Sequence, residues 1–137
     1  LKPLDGVVDI YMPDFKFWDN QWAERFCHIK DYRERAKEAL LEMHRQVGDL
    51  QMNEKGLAVR GLLVRHLVMP EDIAGSREVM TFLAREISPH TYVNIMGQYR
   101  PCGLASRDQR INRRITAAEL TAAEEAARQA GLHRLDE

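Results

Sequence analysis

The feature that most constrains this chain is the order in which its hydrophobic patterns alternate. β-branched, strand-like runs of period two are separated by stretches of period three to four, and the order is strand, helix, strand, helix, strand, helix. Helical connections between successive strands suit a parallel sheet. The fold class expected is therefore α/β. Val7 to Lys16 reads as the first strand, with a short helix over Asn20 to Cys27 capped by Asp19. A longer helix covers Tyr32 to Val47, where Tyr32, Ala36, Ala39, Leu40, Met43 and Val47 form one apolar stripe. Asp31 is placed to accept from its first-turn amides, and Gly48 to close its far end. Asp49 to Arg60 predicts a hairpin around Asn53–Gly56, and Leu62 to Met69 a second main strand stopped by Pro70. Ser76 is the expected cap of a helix reaching Ile87. Thr91 to Met96 is the third strand, and Gly97 to Arg114 a long loop. The last helix carries a capping box, Thr116 with Glu119, a hydrophobic staple, Ile115 with Leu120, and a closing Gly131. Leu132 to Leu135 reads as a short terminal strand. At 137 residues the whole chain, 1–137, is one domain of three to four strand–helix units. A complete eight-unit barrel takes about 250 residues.

Composition narrows the function classes. With 20 Lys+Arg against 21 Asp+Glu the formal charge is −1, which argues against a general nucleic-acid binder, because phosphate neutralisation needs surplus cations on one face. No apolar run is long enough to span a bilayer. There is no basic segment followed by an apolar core at the start, so no secretory signal is read, and a cytoplasmic location is expected. A beginning at Leu1 that enters strand-like sequence almost at once suggests a piece of a longer protein. Cys27 and Cys102 belong to no CxxC or CxxxCxxC pattern, so these two thiols cannot hold an iron–sulfur cluster alone. His28, His44, His66, His90 and His133 show no zinc-ligand spacing, with His44 on the polar side of its helix and His66 a hydrogen-bonded packing residue. Neither a GxSxG elbow nor a P-loop is present.

Alternate strand residues share a face, and parallel α/β sheets bind ligands at the carboxyl ends of their strands. Met12, Asp14 and Lys16 align on one face of the first strand, Arg65 on the second, and Asn94 and Gln98 on the third. A carboxylate, two cations and amides together suit a zwitterionic, amino-acid-like ligand, the Arg clamping its carboxylate. The competing readings are a solvated strand end for Asp14 and Lys16 and a structural ion pair for Arg65. Arg100, Arg107, Arg110, Arg113 and Arg114 in the long loop either meet an acidic or phosphate-bearing partner or pair locally with Asp and Glu.

Several segments in order, VVDIYMPDFKFWD, AKEALLEMHRQVGDL, GLLVRHLVMP with its Ala-Gly-Ser helix start, SPHTYVNIMGQYRP and NRRITAAEL, together resemble the C-terminal half of radical S-adenosylmethionine proteins related to pyruvate formate-lyase activating enzyme. The resemblance implies a partial (β/α) barrel lacking its N-terminal, cluster-binding half. It implies S-adenosylmethionine and a [4Fe–4S] cluster in the parent protein, with the cluster held by a CxxxCxxC motif that this chain does not contain. The Met-x-Asp-x-Lys pattern of a family strand matches Met12, Asp14 and Lys16, where the Met carbonyl and the carboxylate lie beside the cofactor and a monovalent cation. The family's strand Arg before a "VPG"-like turn matches Arg65, implying contact with S-adenosylmethionine. Here the turn reads Met69-Pro70-Glu71, without the Gly, and Asn94, Gln98 or Tyr99 stands where the family has a histidine. The function implied is a fragment forming part of the S-adenosylmethionine and substrate wall of a glycyl-radical-activating-type oxidoreductase, inactive alone, with a partner protein as substrate. The alternative is a non-catalytic half-barrel acting by association. Either leaves open strand edges that favour self-association.

Overall fold

A computed structural model describes residues 1–136. It is α/β, with a mostly parallel sheet and four α-helices. In chain order the elements are β1 (Ile10–Tyr11), α1 (Asn20–Cys27), α2 (Tyr32–Val47), β2 (Gln51–Met52), β3 (Ala58–Leu67), α3 (Ser76–Phe82), β4 (Tyr92–Met96), α4 (Ala117–Ala130) and β5 (Arg134–Leu135). The main path of the sheet is β1-β3-β4-β5, parallel throughout, and β2 pairs antiparallel with β3.

Sequence expectation and structure part company at the first strand. Ladder pairing covers only Ile10 and Tyr11, not Val7 to Lys16. Pro13 has no amide to give, so the ladder breaks there. The segment nevertheless stays in register along β3. The Arg65 amide donates to Pro13 O at 2.9 Å, the Phe15 amide donates to Arg65 O at 2.9 Å, and Asp14 bridges to Arg65. The hairpin arm and the second main strand, read as two elements, form one continuous β3. Gly61 is the join, at φ 118°, and a Cβ there would overlap the Asp49 carbonyl oxygen and lie 2.5 Å from Leu50 Cα. Only glycine lets the hairpin backbone cross so closely.

Two helix starts also differ from expectation. Ser76 is the first helical residue of α3 rather than its cap; Gly75 is the N-cap, and the Ser76 amide donates to Asp72 Oδ1 at 2.9 Å. The helix reaches Ile87 through a π-turn over Leu83–Ile87. Asp31 makes no side-chain cap on α2; Asn20 Oδ1 takes the Arg33 amide at 2.9 Å and Asp31 pairs with Arg35. The Asp19 cap, the Thr116–Glu119 capping box and the Gly131 closure form as read. Ile115 and Leu120 both lean over Gly97.

The main core packs α2, α3 and α4 against one face of the sheet: Tyr11, Phe15, Leu62, Val64 and Val93 from the strand segments meet Leu40, Met80, Leu83 and Ala127 from the helices. A second cluster, Phe17, Ala23, Met69, Ile73, Ala74, Tyr99 and Ile111, lies past the carboxyl ends of the strands beneath α1 and the long loop. His66 is fully buried between them. Its Nδ1 lies 2.8 Å from Phe15 O and its Nε2 2.9 Å from Ser76 Oγ. Because the carbonyl can only accept, Nδ1 carries the proton and Nε2 accepts from the serine. No helix among the described residues is long and apolar enough to cross a membrane.

Candidate functional site

The face of the sheet opposite the helices carries alternate residues of every strand. Register places three of the candidate side chains in one transverse row, since Asp14 pairs with Arg65 and Arg65 with Asn94. Neighbouring strands lie roughly 4.8 Å apart, so the row spans three strands with one polar residue on each. The Arg65 guanidinium donates through Nε to Asp14 Oδ1 at 2.6 Å, and Lys16 Nζ is 3.6 Å from Asp14 Oδ2. Asn94 donates through Nδ2 to Asp136 Oδ2 at 2.8 Å, and Tyr92 donates to the other oxygen of Asp136 at 3.3 Å. The Arg65 and Asp14 side chains keep 37% and 26% of their surface exposed. They are accessible to a ligand and screened by water only in part.

Met12 lies one pleat back on the same segment and is more than half exposed. Gln98 lies past the end of β4, exposed, outside the row. Asp14, Lys16, Arg65 and Asn94 are thus brought together, with Met12 at the margin and Gln98 beyond it. Pro70 begins a 3-10 turn in which Glu71 adopts φ 58° and ψ 27°, a left-handed conformation of the kind glycine favours. Glu119 Oε1 accepts the Glu71 amide at 2.8 Å while its carboxylate is forked by Arg113 at 2.7 and 2.9 Å. Arg113, together with the Glu71 and Thr116 amides, holds the Glu119 carboxyl well below its ordinary range.

Sequence periodicity missed two contributors. Tyr32 reads as part of the apolar stripe of α2, yet its hydroxyl accepts the Lys16 amide at 2.8 Å and donates to Asp14 O at 3.3 Å. Burial pushes its phenol upward, the nearby Asp14 charge adding to this against the Lys16 amide. Asp136 carries no pattern that could have singled it out; only β5 pairing delivers it. The arginines of the loop divide. Arg110 pairs with Asp108 and Arg113 with Glu119, the local reading, while Arg100, Arg107 and Arg114 make no ion pair among the described residues. His44, on the polar side of its helix, has a partner: its Nε2 is 2.9 Å from Asp49 Oδ1. Cys27 and Cys102 are free, exposed thiols, and the described residues contain no group of three or more His, Cys, Asp or Glu side chains arranged to hold a metal ion.

No family model and no solved structure matches the chain. An uncharacterised protein of Methanocaldococcus jannaschii is 34% identical over 125 residues, which is 90% of this chain and 32% of that protein. The chain spans about a third of the length of this relative.

Proposed function

We propose that this chain is the C-terminal part of a radical S-adenosylmethionine protein of the pyruvate formate-lyase activating-enzyme-like type, and that it forms part of the cofactor and substrate wall. The observation that carries the reading is the Asp14–Arg65–Asn94 row on the helix-free face. Support for a partial (β/α) barrel comes from the strand order, which follows chain order along the parallel path, with the core-forming helices on one face. A doubly wound sheet would reverse its order and place helices on both faces.

The donor set fits a zwitterionic cofactor. Arg65 and Lys16 suit the methionyl carboxylate, Asp14 the ammonium, and Asn94 has amide groups for the sugar or base. When bound and reductively cleaved, S-adenosylmethionine supplies a radical that abstracts hydrogen from a substrate, here a partner protein. The residues of this chain bind and orient. Tyr32 fixes the Asp14–Lys16 backbone, and Glu119 fixes the turn after β3. A monovalent cation at Met12 and Asp14 would displace Lys16, the longer of the two contacts to that carboxylate. The [4Fe–4S] cluster does not fit this chain, whose two thiols are single and separate in the sequence. Its ligands belong to another part of the longer protein.

The test has two arms. The isolated chain, reconstituted with iron and sulfide, is expected to take up no cluster and to leave S-adenosylmethionine intact; stoichiometric iron–sulfur absorbance overturns the reading. In the complete open reading frame, Arg65→Ala is expected to abolish 5′-deoxyadenosine formation, and unchanged formation overturns Arg65's role. A second reading, a non-catalytic half-barrel that acts by association, is favoured by one feature: the row satisfies itself, with Asp14 held by Arg65 and Lys16 and Asn94 by Asp136. A start codon directly before Leu1, with no CxxxCxxC upstream, supports that alternative.

A further inference from the structure

At the amino-terminal ends of β4 and β5, away from the polar row, His90 and His133 meet. They are 43 positions apart in the chain, and their rings lie at 81° with centroids 5.1 Å apart. His90 Nδ1 and His133 Nε2 are 3.3 Å from each other. The separation is that of a long hydrogen bond in which one ring donates to the other, beyond the roughly 2.7–3.2 Å typical of N–H···O. It is close to the separation, about 3.3 Å, of two imidazole nitrogens bound tetrahedrally to one zinc ion at about 2.0–2.1 Å. Both residues are exposed, so the edge where the two rings meet is open to solvent.

The backbones that carry the rings are already pinned. The His90 amide donates to Ser88 Oγ at 3.1 Å, and Arg134, next to His133 and part of β5, donates to His90 O at 3.3 Å. Asp49, which accepts from Ser88 Oγ at 3.1 Å, puts a carboxylate two hydrogen bonds from the His90 backbone, a charge that favours a cation nearby. The Arg134 guanidinium opposes it, but its hydrogen bond and its stacking over Tyr92, 5.6 Å from the ring centre, hold that charge on the carbonyl and ring sides.

We infer that His90 and His133 form a two-histidine clip for a divalent transition-metal ion, Zn²⁺ in the first instance, with water completing the coordination. The clip ties the turn entering β4 to the turn entering β5. The consequence is structural: β5 pairs over only Tyr92–Arg134 and Val93–Leu135, and a metal across its entry pins this short edge strand and the row residue Asp136 beyond it.

The test uses the full chain carrying Cys27→Ser and Cys102→Ser, so that thiols do not compete, titrated with ZnCl₂ against a chromophoric chelator. One ion per chain is expected, with a rise in Tm of about 5 °C at saturation and slowed exchange of the Asp136 amide, which donates to Val93 O at 3.0 Å. His90→Gln and His133→Gln, both at exposed positions, are each expected to weaken binding at least about tenfold and to remove the Tm rise. His28→Gln is expected to change neither. Saturable binding that survives both substitutions, binding lost in His28→Gln, or no saturable binding at all overturns the clip.

Discussion

At the residue scale, His66 and the Asp14–Arg65 pair differ in how deeply they are held. His66 is fully buried and ties β3 to the β1 segment and to the first residue of α3. Burial lowers its pKa from the ordinary 6.5, and the hydrogen bond to Phe15 and the charge of Asp72 offset this only in part. The folded state therefore binds the proton less well than the unfolded chain. The stability that His66 contributes is complete above about pH 6.5 and falls as pH drops below it. Urea unfolding at pH 7.5 and pH 5.5 should show this loss, and His66→Gln should flatten it. His66→Ala, which leaves Ser76 Oγ and Phe15 O without their partner, is expected to cost about 3 kcal/mol in the same measurement. Asp14 and Arg65 are partly exposed, so Arg65→Met is expected to cost no more than about 1 kcal/mol. A larger loss by denaturant unfolding would mark Arg65 as a structural pair rather than a ligand group. Arg65 inside an apolar run was legible in the sequence as a charge that needs a partner. The identity of that partner was legible only as a shared face, and Tyr32 not at all, since one hydroxyl does not disturb an apolar period.

At the element scale, local signals decide where helices begin when the capping residue has no competing partner. Thr116 and Glu119 cap α4 as their spacing predicts, and Thr116→Ala is expected to cost about 1 kcal/mol. Ser76 and Asp31 have the right chemistry to cap and do not, because other partners claim them: His66, from β3, takes the Ser76 hydroxyl, and Arg35, one turn along the same helix, takes the Asp31 carboxylate. Glu119 joins two elements, since its carboxylate holds both the α4 cap and the turn after β3. Its folded pKa is depressed below 4.5, so its contribution is present above that value and lost as pH falls through the acid range. Glu119→Gln should remove this acid sensitivity, and hydrogen exchange at the Glu71 amide checks it directly.

At the scale of the molecule, the core helices cover one side of the sheet among the described residues. Ile10, Met12 and Val59 are exposed large hydrophobics, and β1 and β5 are edges with few ladder partners. Uncovered edges and apolar surface favour pairing with another chain or another part of the same protein. Sedimentation at tens of micromolar is expected to show a dimer or higher species for the isolated chain; a clean monomer would count against the open-face reading.

The sequence alone determined the α/β class, the helix-forming stripes and the face on which Asp14, Lys16, Arg65 and Asn94 lie, because periods of two and of three to four are properties of neighbouring residues. Tertiary structure decided the rest. Which strand residues stand abreast depends on register, and register is set by pairings between positions 29 to 51 residues apart, such as Arg65 with Asn94 and Asp14 with Arg65. The same holds for Asp136 beside Asn94 and for His90 against His133: no local spacing encodes a contact that only exists once the strands have lined up.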